Sequence, residues 1–226
     1  MADRLADIRR RMAQACERSD RDPDKVRVIA ATKTRTPEEV ESAAGFGITD
    51  VGENRVQEAA TKKPEVKAPL TWHLIGHLQT NKSRKALELF DSIQSVDSPR
   101  VAHALQKRCE QLGRSIEILI EVNTSGEQSK FGIEPTDLRS LVDTVRSYDR
   151  LELAGLMTIG PGLALRDPEA SRSAFRLLST LAEDIRQRFS IPLARLSMGM
   201  TADFEVGVEE GATDIRIGSG LFGPRS

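Results

Sequence analysis

The chain has 226 residues, a length within the range of an α/β barrel that forms a single domain. Its 33 basic and 34 acidic residues nearly balance, which argues against a nucleic-acid or anionic-membrane partner and favours small molecules. The segment Met1–Asp7 is charged and has no apolar stretch for a signal peptide or membrane span, so we expect a cytoplasmic protein.

Helix and strand patterns alternate from the beginning of the chain. An amphipathic helix is predicted at residues 4–18, and the β-branched run at 26–32 predicts the first strand. Thr36-Pro37-Glu38-Glu39 then combines a capping side chain, a proline suited to the first helical turn and a capping-box glutamate, which predicts an immediate helix. Cys16 and Cys109 fall on apolar helix faces, so we expect two buried thiols rather than a disulfide.

Eight strands are predicted in all, with helices between most of them. They cover residues 26–32, 48–51, 72–75, 92–96, 116–122, 151–156, 194–197 and 214–217. Ser98-Pro99 and Asp167-Pro168 repeat the helix-start pattern of Thr36-Pro37. We therefore predict an α/β fold, a single (β/α)₈ TIM-type barrel domain over 1–226 with an extra N-terminal helix; an open doubly wound sheet is the competing arrangement.

Polar residues follow the predicted strands, where a barrel binds its ligands. Lys33 ends an apolar strand, where partial desolvation would lower its pKa and yield an amine able to form an imine with an aldehyde. A surface lysine at a strand end is the alternative interpretation. The polar residues after the other strands include Asn54, His77 and Asn123.

The last two strand ends carry the signals of an anion site. Ser197-Met198-Gly199-Met200-Thr201 leads into a helix predicted near Ala202, and Ile217-Gly218-Ser219-Gly220 leaves the eighth strand. Backbone amides, glycines and hydroxyls there suit a phosphate group. Alternatively, Thr201 only caps its helix and the glycines only form turns. Arg216 lies between apolar neighbours and is expected either in the barrel mouth or in a salt bridge at the strand end.

Two further patterns are weaker. Residues 218–223 satisfy G-x-G-x-x-G, but only three residues follow, whereas a dinucleotide fingerprint requires a helix, a strand and an acidic residue beyond it. His73 and His77 are four residues apart, but Gly76 and the strand-to-loop pattern argue against a shared helix face, so no metal site is predicted.

Several motifs together closely resemble the pyridoxal phosphate homeostasis protein family over nearly the whole chain. The residues that carry the resemblance are Ala31-Thr32-Lys33, Val51-Gly52-Glu53-Asn54-Arg55-Val56-Gln57-Glu58, the run from Trp72 to Lys82, Leu196 to Asp203, and Arg216-Ile217-Gly218. That family resembles the N-terminal barrel of alanine racemase without its second domain.

The resemblance implies pyridoxal 5'-phosphate (PLP) as cofactor, carried by Lys33 as a Schiff base. It further implies that Arg216 faces the pyridine nitrogen, that Asn54 lines the ring, and that the phosphate is surrounded by Ser197, Thr201, Gly218 and Ser219. An arginine at the nitrogen would keep it unprotonated and make the ring a poorer electron sink. The implied role is storage, buffering or delivery of PLP, possible partners being PLP-dependent apoenzymes, without a defined turnover.

Two other functions stay open at this stage. An amino-acid racemase needs a second acid/base group; the only tyrosine, Tyr148, is predicted away from the strand ends, which leaves His77 or a group near Met157. An interaction protein would use PLP only to stabilise its fold. A monomer is expected, because no large apolar surface stripe is evident.

Overall fold

The computed structural model describes residues 1–224, so residues 225 and 226 of the domain predicted over 1–226 lie outside the described residues. All eight predicted strands are present in the described part. They are β1 Arg27–Ala31, β2 Asp50–Glu53, β3 Thr71–Leu74, β4 Ser92–Val96, β5 Ile116–Glu121, β6 Leu151–Met157, β7 Arg195–Met200 and β8 Asp214–Ile217. The α-helices are α1 Ala2–Arg18, α2 Pro37–Gly45, α3 Val56–Lys62, α4 Ser83–Leu89, α5 Pro99–Leu112, α6 Leu138–Arg146, α7 Arg172–Phe189, α8 Phe204–Glu209 and α9 Ser219–Phe222.

The strands form a closed barrel in which each strand is parallel to its neighbours. Closure is made by β1 against β8, where Ile29 pairs with Arg216 and Ala30 pairs with Ile217. This confirms the (β/α)₈ barrel and excludes the open sheet. The N-terminal helix α1 packs on α8 and α9, and its Arg11 Nε donates to Glu205 Oε1 at 2.7 Å.

Helix starts follow the predicted capping chemistry. Thr36 Oγ1 accepts from the Glu39 amide at 3.3 Å and the Thr36 amide donates to Glu39 Oε2 at 2.9 Å, a complete capping box. Ser98 caps α5 through the Val101 amide. Asp167 instead caps a 3₁₀ turn, Pro168–Ser171, that precedes α7.

Three predicted boundaries were wrong. Strand β2 is shifted toward Glu53, because Gly52 lies within it; a Cβ at Gly52 would approach Ile75 Cδ1 to 2.8 Å. Strand β7 continues to Met200 through Gly199, which has a φ of +90°. Helix α8 begins at Phe204 rather than near Ala202, because Asp203 Oδ1 accepts from the Met200 amide at 2.7 Å and forms a turn there.

The packing differs between the outside and the inside of the barrel. Apolar side chains fill the layer between strands and helices, and this core includes Cys16 and Cys109. Both cysteines are buried free thiols, as predicted, and burial raises the pKa of Cys109 to about 11. Within residues 1–224 no helix is both long enough and apolar enough to cross a bilayer.

The barrel interior is strongly polar at the amino-terminal ends of the strands. Arg195 Nε donates to Asp214 Oδ2 at 2.8 Å, and Arg195 Nη1 donates to Glu117 Oε1. Arg27 Nη1 lies 3.3 Å from Asp50 Oδ1. Polar groups therefore begin at this end and continue toward the opposite mouth, where the candidate site lies.

Candidate functional site

A cavity of about 500 Å³ opens at the carboxyl-terminal mouth of the barrel. It brings together six of the seven site residues proposed from the sequence, which are Lys33, Asn54, Thr201, Arg216, Gly218 and Ser219. The seventh, Ser197, is fully buried below the cavity and does not line it. The arrangement places an amine, a guanidinium, hydroxyls and glycine backbone around one space.

Lys33 lies two residues beyond β1 and is half-buried. The next residue, Thr34, has a φ of +63°, a left-handed conformation that is uncommon for a threonine. The Thr34 amide donates to Glu58 Oε1 at 2.5 Å, which holds this turn against α3. The backbone that carries Lys33 is therefore fixed by contacts outside the cavity.

A buried ion-pair cluster supports the same turn from behind. Lys62 Nζ donates to Glu53 Oε1 at 2.5 Å, to Glu58 Oε1 at 2.9 Å and to the Thr32 carbonyl at 2.7 Å. Thr32 Oγ1 also donates to Glu53 Oε1, at 2.7 Å. Burial raises the pKa of Glu53, although the hydrogen bonds from Lys62 and Thr32 oppose it. The cluster joins the ends of β1 and β2 to α3.

Arg216 reaches the cavity from inside the barrel. Its Nη1 donates to the Ser197 carbonyl at 2.8 Å and to Ser197 Oγ at 2.6 Å, and its Nη2 donates to the Thr158 carbonyl at 2.7 Å. Burial lowers the pKa of this guanidinium, while the carboxylates of Glu121, Asp203 and Asp214 oppose that effect. Arg216 thus points into the mouth of the barrel, and within residues 1–224 its hydrogen bonds go to Ser197 and Thr158 rather than to a carboxylate.

The Thr201 hydroxyl is held by the loop that leaves β8. Its Oγ1 accepts from the Gly218 amide at 3.3 Å and from the Gly220 amide at 3.2 Å. Its role as a cap of α8 is excluded, because Asp203 occupies the N-cap position of that helix. Two backbone amides and a hydroxyl thus converge beside Ser219 at the edge of the cavity.

Asn54 follows β2 and lies against the loop after β3. A Cβ at Gly76 would come within 2.4 Å of the Asn54 carbonyl oxygen and 2.7 Å of its Cα. Glycine at position 76 is therefore needed for the two backbones to approach this closely. Ile75, next to it, also lines the cavity.

The sequence prediction missed several residues of the site. The segment 159–162, together with Ala164, Leu165 and Lys130, forms one side of the cavity. No periodic signal marks these loop residues. Gln94 accepts a hydrogen bond from the Ser197 hydroxyl. An uncharged polar residue in the middle of a predicted buried strand is a signal that could have identified it.

Other polar residues noted in the sequence lie elsewhere. The His77 ring stacks on Phe131 at 4.0 Å between centroids, binds Asp97, and lines a separate cleft of about 700 Å³. His73 is buried beside Asp50 inside the barrel. Tyr148 Oη lies 3.4 Å from His103 Nδ1. Met157 is fully buried.

Known proteins resemble this chain in both sequence and fold. The family model of the alanine racemase N-terminal domain matches residues 4–226, so the chain belongs to the class of barrels built like that domain. The pyridoxal phosphate homeostasis protein of Aquifex aeolicus is 40% identical, covering 99% of this chain and 97% of the relative. The protein of the same name from Pseudomonas aeruginosa is 38% identical, covering 100% of this chain and 96% of the relative.

A solved structure agrees with these relatives. PipY of Synechococcus elongatus, with PLP bound, is 37% identical and superimposes with a TM-score of 0.85, covering 98% of this chain and 99% of that protein. The chain accordingly belongs to the pyridoxal phosphate homeostasis protein family.

Proposed function

We propose that this protein binds PLP as a Schiff base on Lys33 and takes part in intracellular PLP homeostasis by storing, buffering or delivering the cofactor. The observation that carries the proposal is the single cavity shared by Lys33, Arg216, Thr201, Gly218 and Ser219. Its volume of about 500 Å³ lies within the range usual for cofactor sites. The PLP-bound relative PipY supports the same assignment.

The donor set fits the three parts of PLP. The Lys33 amine can condense with the aldehyde and release water, which attaches the cofactor reversibly. Arg216 presents a guanidinium that only donates hydrogen bonds, so it suits an unprotonated pyridine nitrogen. The hydroxyls of Thr201 and Ser219 and the turn at Gly218 suit the phosphate, since the Gly218 amide donates to Thr201 Oγ1 and leaves the Thr201 O–H to donate. We assign Asn54 to the side of the ring.

We propose for Ser197 a different role from the phosphate contact that the resemblance implies. Its hydroxyl accepts from Arg216 at 2.6 Å and donates to Gln94 at 2.7 Å, below the cavity. We therefore assign Ser197 to holding the guanidinium rather than to the phosphate.

The same geometry favours a holder over a racemase. Bound PLP supplies an electrophilic carbonyl and an electron-withdrawing ring, and racemisation at such a group requires acid/base groups on both faces. The sole tyrosine lies against His103, and His77 stacks on Phe131 in the separate cleft. An arginine at the ring nitrogen also disfavours carbanion chemistry.

Delivery to PLP-dependent apoenzymes is supported by the rim of the cavity. Leu165 and Met200 line the cavity. The side chains of Leu165 and nearby Leu163 are 81% and 61% exposed. Exposed apolar residues grouped at a cavity mouth suit transient contact with a receiving protein. We further propose a monomer in the cytoplasm, where the free thiols of Cys16 and Cys109 would persist.

The test combines spectroscopy with mapping of the modified lysine. Purified protein incubated with PLP is expected to show a visible Schiff-base band, and borohydride reduction should place the label on Lys33. Lys33→Ala should lose the band, whereas Lys85→Ala, on the exposed face of α4, should keep it. A colourless wild-type protein, or a label on another lysine, would contradict the assignment.

The storage role has its own measurement. Loaded protein is mixed with a PLP-dependent apoenzyme, and recovery of that enzyme's activity is followed with and without a scavenger of free PLP. Recovery is expected in both cases if delivery is direct. Repeated turnover of an amino-acid enantiomer by the loaded protein would instead favour the racemase.

A further inference from the structure

A line of hydrogen bonds crosses the barrel interior beneath the cavity. Arg216 Nη1 donates to Ser197 Oγ at 2.6 Å, and Ser197 Oγ donates to Gln94 Oε1 at 2.7 Å. Gln94 Nε2 meets His73 Nδ1 at 3.3 Å, and His73 Nε2 meets Asp50 Oδ1 at 2.8 Å. All five side chains are buried. We call these five residues the interior polar chain.

The two ends of the interior polar chain fix the direction of the bonds that they form. A guanidinium can only donate hydrogen bonds and a carboxylate can only accept them. Burial by itself raises the pKa of Asp50, but hydrogen bonds from His73 and Thr49 and the charge of Arg27 outweigh burial, and the net pKa is lowered. Asp50 therefore accepts a hydrogen bond from the protonated Nε2 of His73. His73 Nδ1 then accepts a hydrogen bond from Gln94. With the Gln94 amide nitrogen toward His73 Nδ1 and its oxygen accepting from Ser197, each of the four bonds is donated toward Asp50.

This direction has a consequence for Ser197. Because the Ser197 hydroxyl donates its hydrogen bond to the Gln94 carbonyl, a lone pair of Ser197 Oγ accepts from Arg216. Two Nη1 contacts to Ser197 and one Nη2 contact to the Thr158 carbonyl then hold the guanidinium on its inner side. At most two of its five N–H groups are left for the cavity.

We propose that Asp50, His73 and Gln94 are positioning residues that act through Ser197 to orient the Arg216 guanidinium toward the pyridine nitrogen of PLP. The inference rests on the proposed function for its ligand. The inference adds a binding role for residues on β2, β3 and β4, three strands that do not pair with the β8 strand of Arg216. The role of these residues is to keep the ring-facing donor in one orientation.

The direction of the interior polar chain can be measured without PLP. Nitrogen NMR of the imidazole rings in the apoprotein should show a proton on His73 Nε2, facing Asp50, and an unprotonated Nδ1 facing Gln94. A proton on Nδ1 would overturn the proposal, because Gln94 would then have to turn its carbonyl toward His73 and its amide toward Ser197.

Substitutions at Gln94 test the effect on PLP. Gln94→Leu keeps approximate volume but removes the acceptor for Ser197, so we expect about a five- to tenfold higher Kd for PLP, the size of one lost hydrogen bond. The visible band of Gln94→Leu should shift in the same direction as the band of an Arg216→Met variant measured alongside it. Gln94→Glu keeps an acceptor oxygen for Ser197 in either protonation state and should restore the wild-type band and Kd.

Ser95→Ala is the matched control. Ser95 lies next to Gln94 on β4, and its buried hydroxyl has no hydrogen-bond partner among the described residues. This variant should retain the wild-type band. Gln94→Leu with an unchanged band, or Gln94→Leu and Gln94→Glu shifted alike, would overturn the proposal. If Gln94→Leu does not fold, the proton position on His73 and the band of Gln94→Glu test the positioning role. A wild-type protein without any band would instead refute the proposed function.

Discussion

Glu121, the last residue of β5, is a buried carboxyl group near Arg216 inside the barrel, and it should make the stability of the protein depend on pH. Its exposed fraction is 4%. Burial and then the charge of Asp97 raise its pKa from 4.5 to about 7, while Arg216 opposes the rise. Each tenfold change in proton affinity corresponds to about 1.4 kcal/mol, so ionising Glu121 in the folded protein costs about 3 kcal/mol relative to the unfolded chain.

The sign follows from the raised pKa. Below the ordinary pKa of 4.5, Glu121 is protonated in both the folded and the unfolded chain, and its favourable contribution is fully present. As the pH rises through about 7, the folded protein must give up that proton, and the contribution is lost. Glu121→Gln stays uncharged, so it should match the wild type at about pH 4 and exceed it by about 3 kcal/mol at about pH 8.5.

Urea unfolding of the apoprotein, followed by circular dichroism across this pH range, measures the difference. Glu152→Gln, at an exposed position of β6, serves as the control and should give a difference that changes little with pH. A flat difference for Glu121→Gln would refute the assignment of the raised pKa to this residue.

Two further substitutions test the backbone supports of the cavity. Lys62→Met leaves the fully buried Glu53 without its cation and should lower the free energy of unfolding by about 3 kcal/mol in urea titrations; a loss below about 1 kcal/mol would show that the ion pair contributes little. Gly76→Ala forces a Cβ against the Asn54 backbone and should lower both Tm and PLP affinity, whereas Gly45→Ala, with open space around its Cβ position, should lower neither.

The barrel itself was predictable because its signals are local. Each strand is a short β-branched or apolar run, and helix starts such as Thr36-Pro37 carry their own capping chemistry. The positions of Lys33 and Arg216 could be predicted because ligands bind beyond the carboxyl ends of barrel strands. The predicted strand boundaries were wrong at Gly52 and Gly199, because each glycine lies inside its strand instead of ending it. Gly52 allows close packing against Ile75, and Gly199 adopts a positive φ.

The interior polar chain could not be predicted, because its contacts depend on register across the barrel. Ser197 and Gln94 are 103 residues apart, and nothing in either local pattern pairs them. Ser197 follows a strand in the same way as Thr201, so strand-end reasoning grouped the two. The pleat places the Ser197 hydroxyl inside the barrel, whereas Thr201 lies beyond Met200 and meets the amides of Gly218 and Gly220.

Closure of the barrel creates the candidate site. Lys33 comes from the first strand and Arg216, Gly218 and Ser219 from the last, yet the pairing of Ala30 with Ile217 makes these strand ends neighbours. In an open doubly wound sheet the same residues would belong to separate strand ends. The Lys33 amine, the Arg216 guanidinium and the Gly218-Ser219 segment therefore meet in one cavity because β8 pairs with β1. Prediction of the candidate site thus depended on prediction of the closed barrel, and an error in the topology would have separated Lys33 from Arg216 and the residues that follow β8.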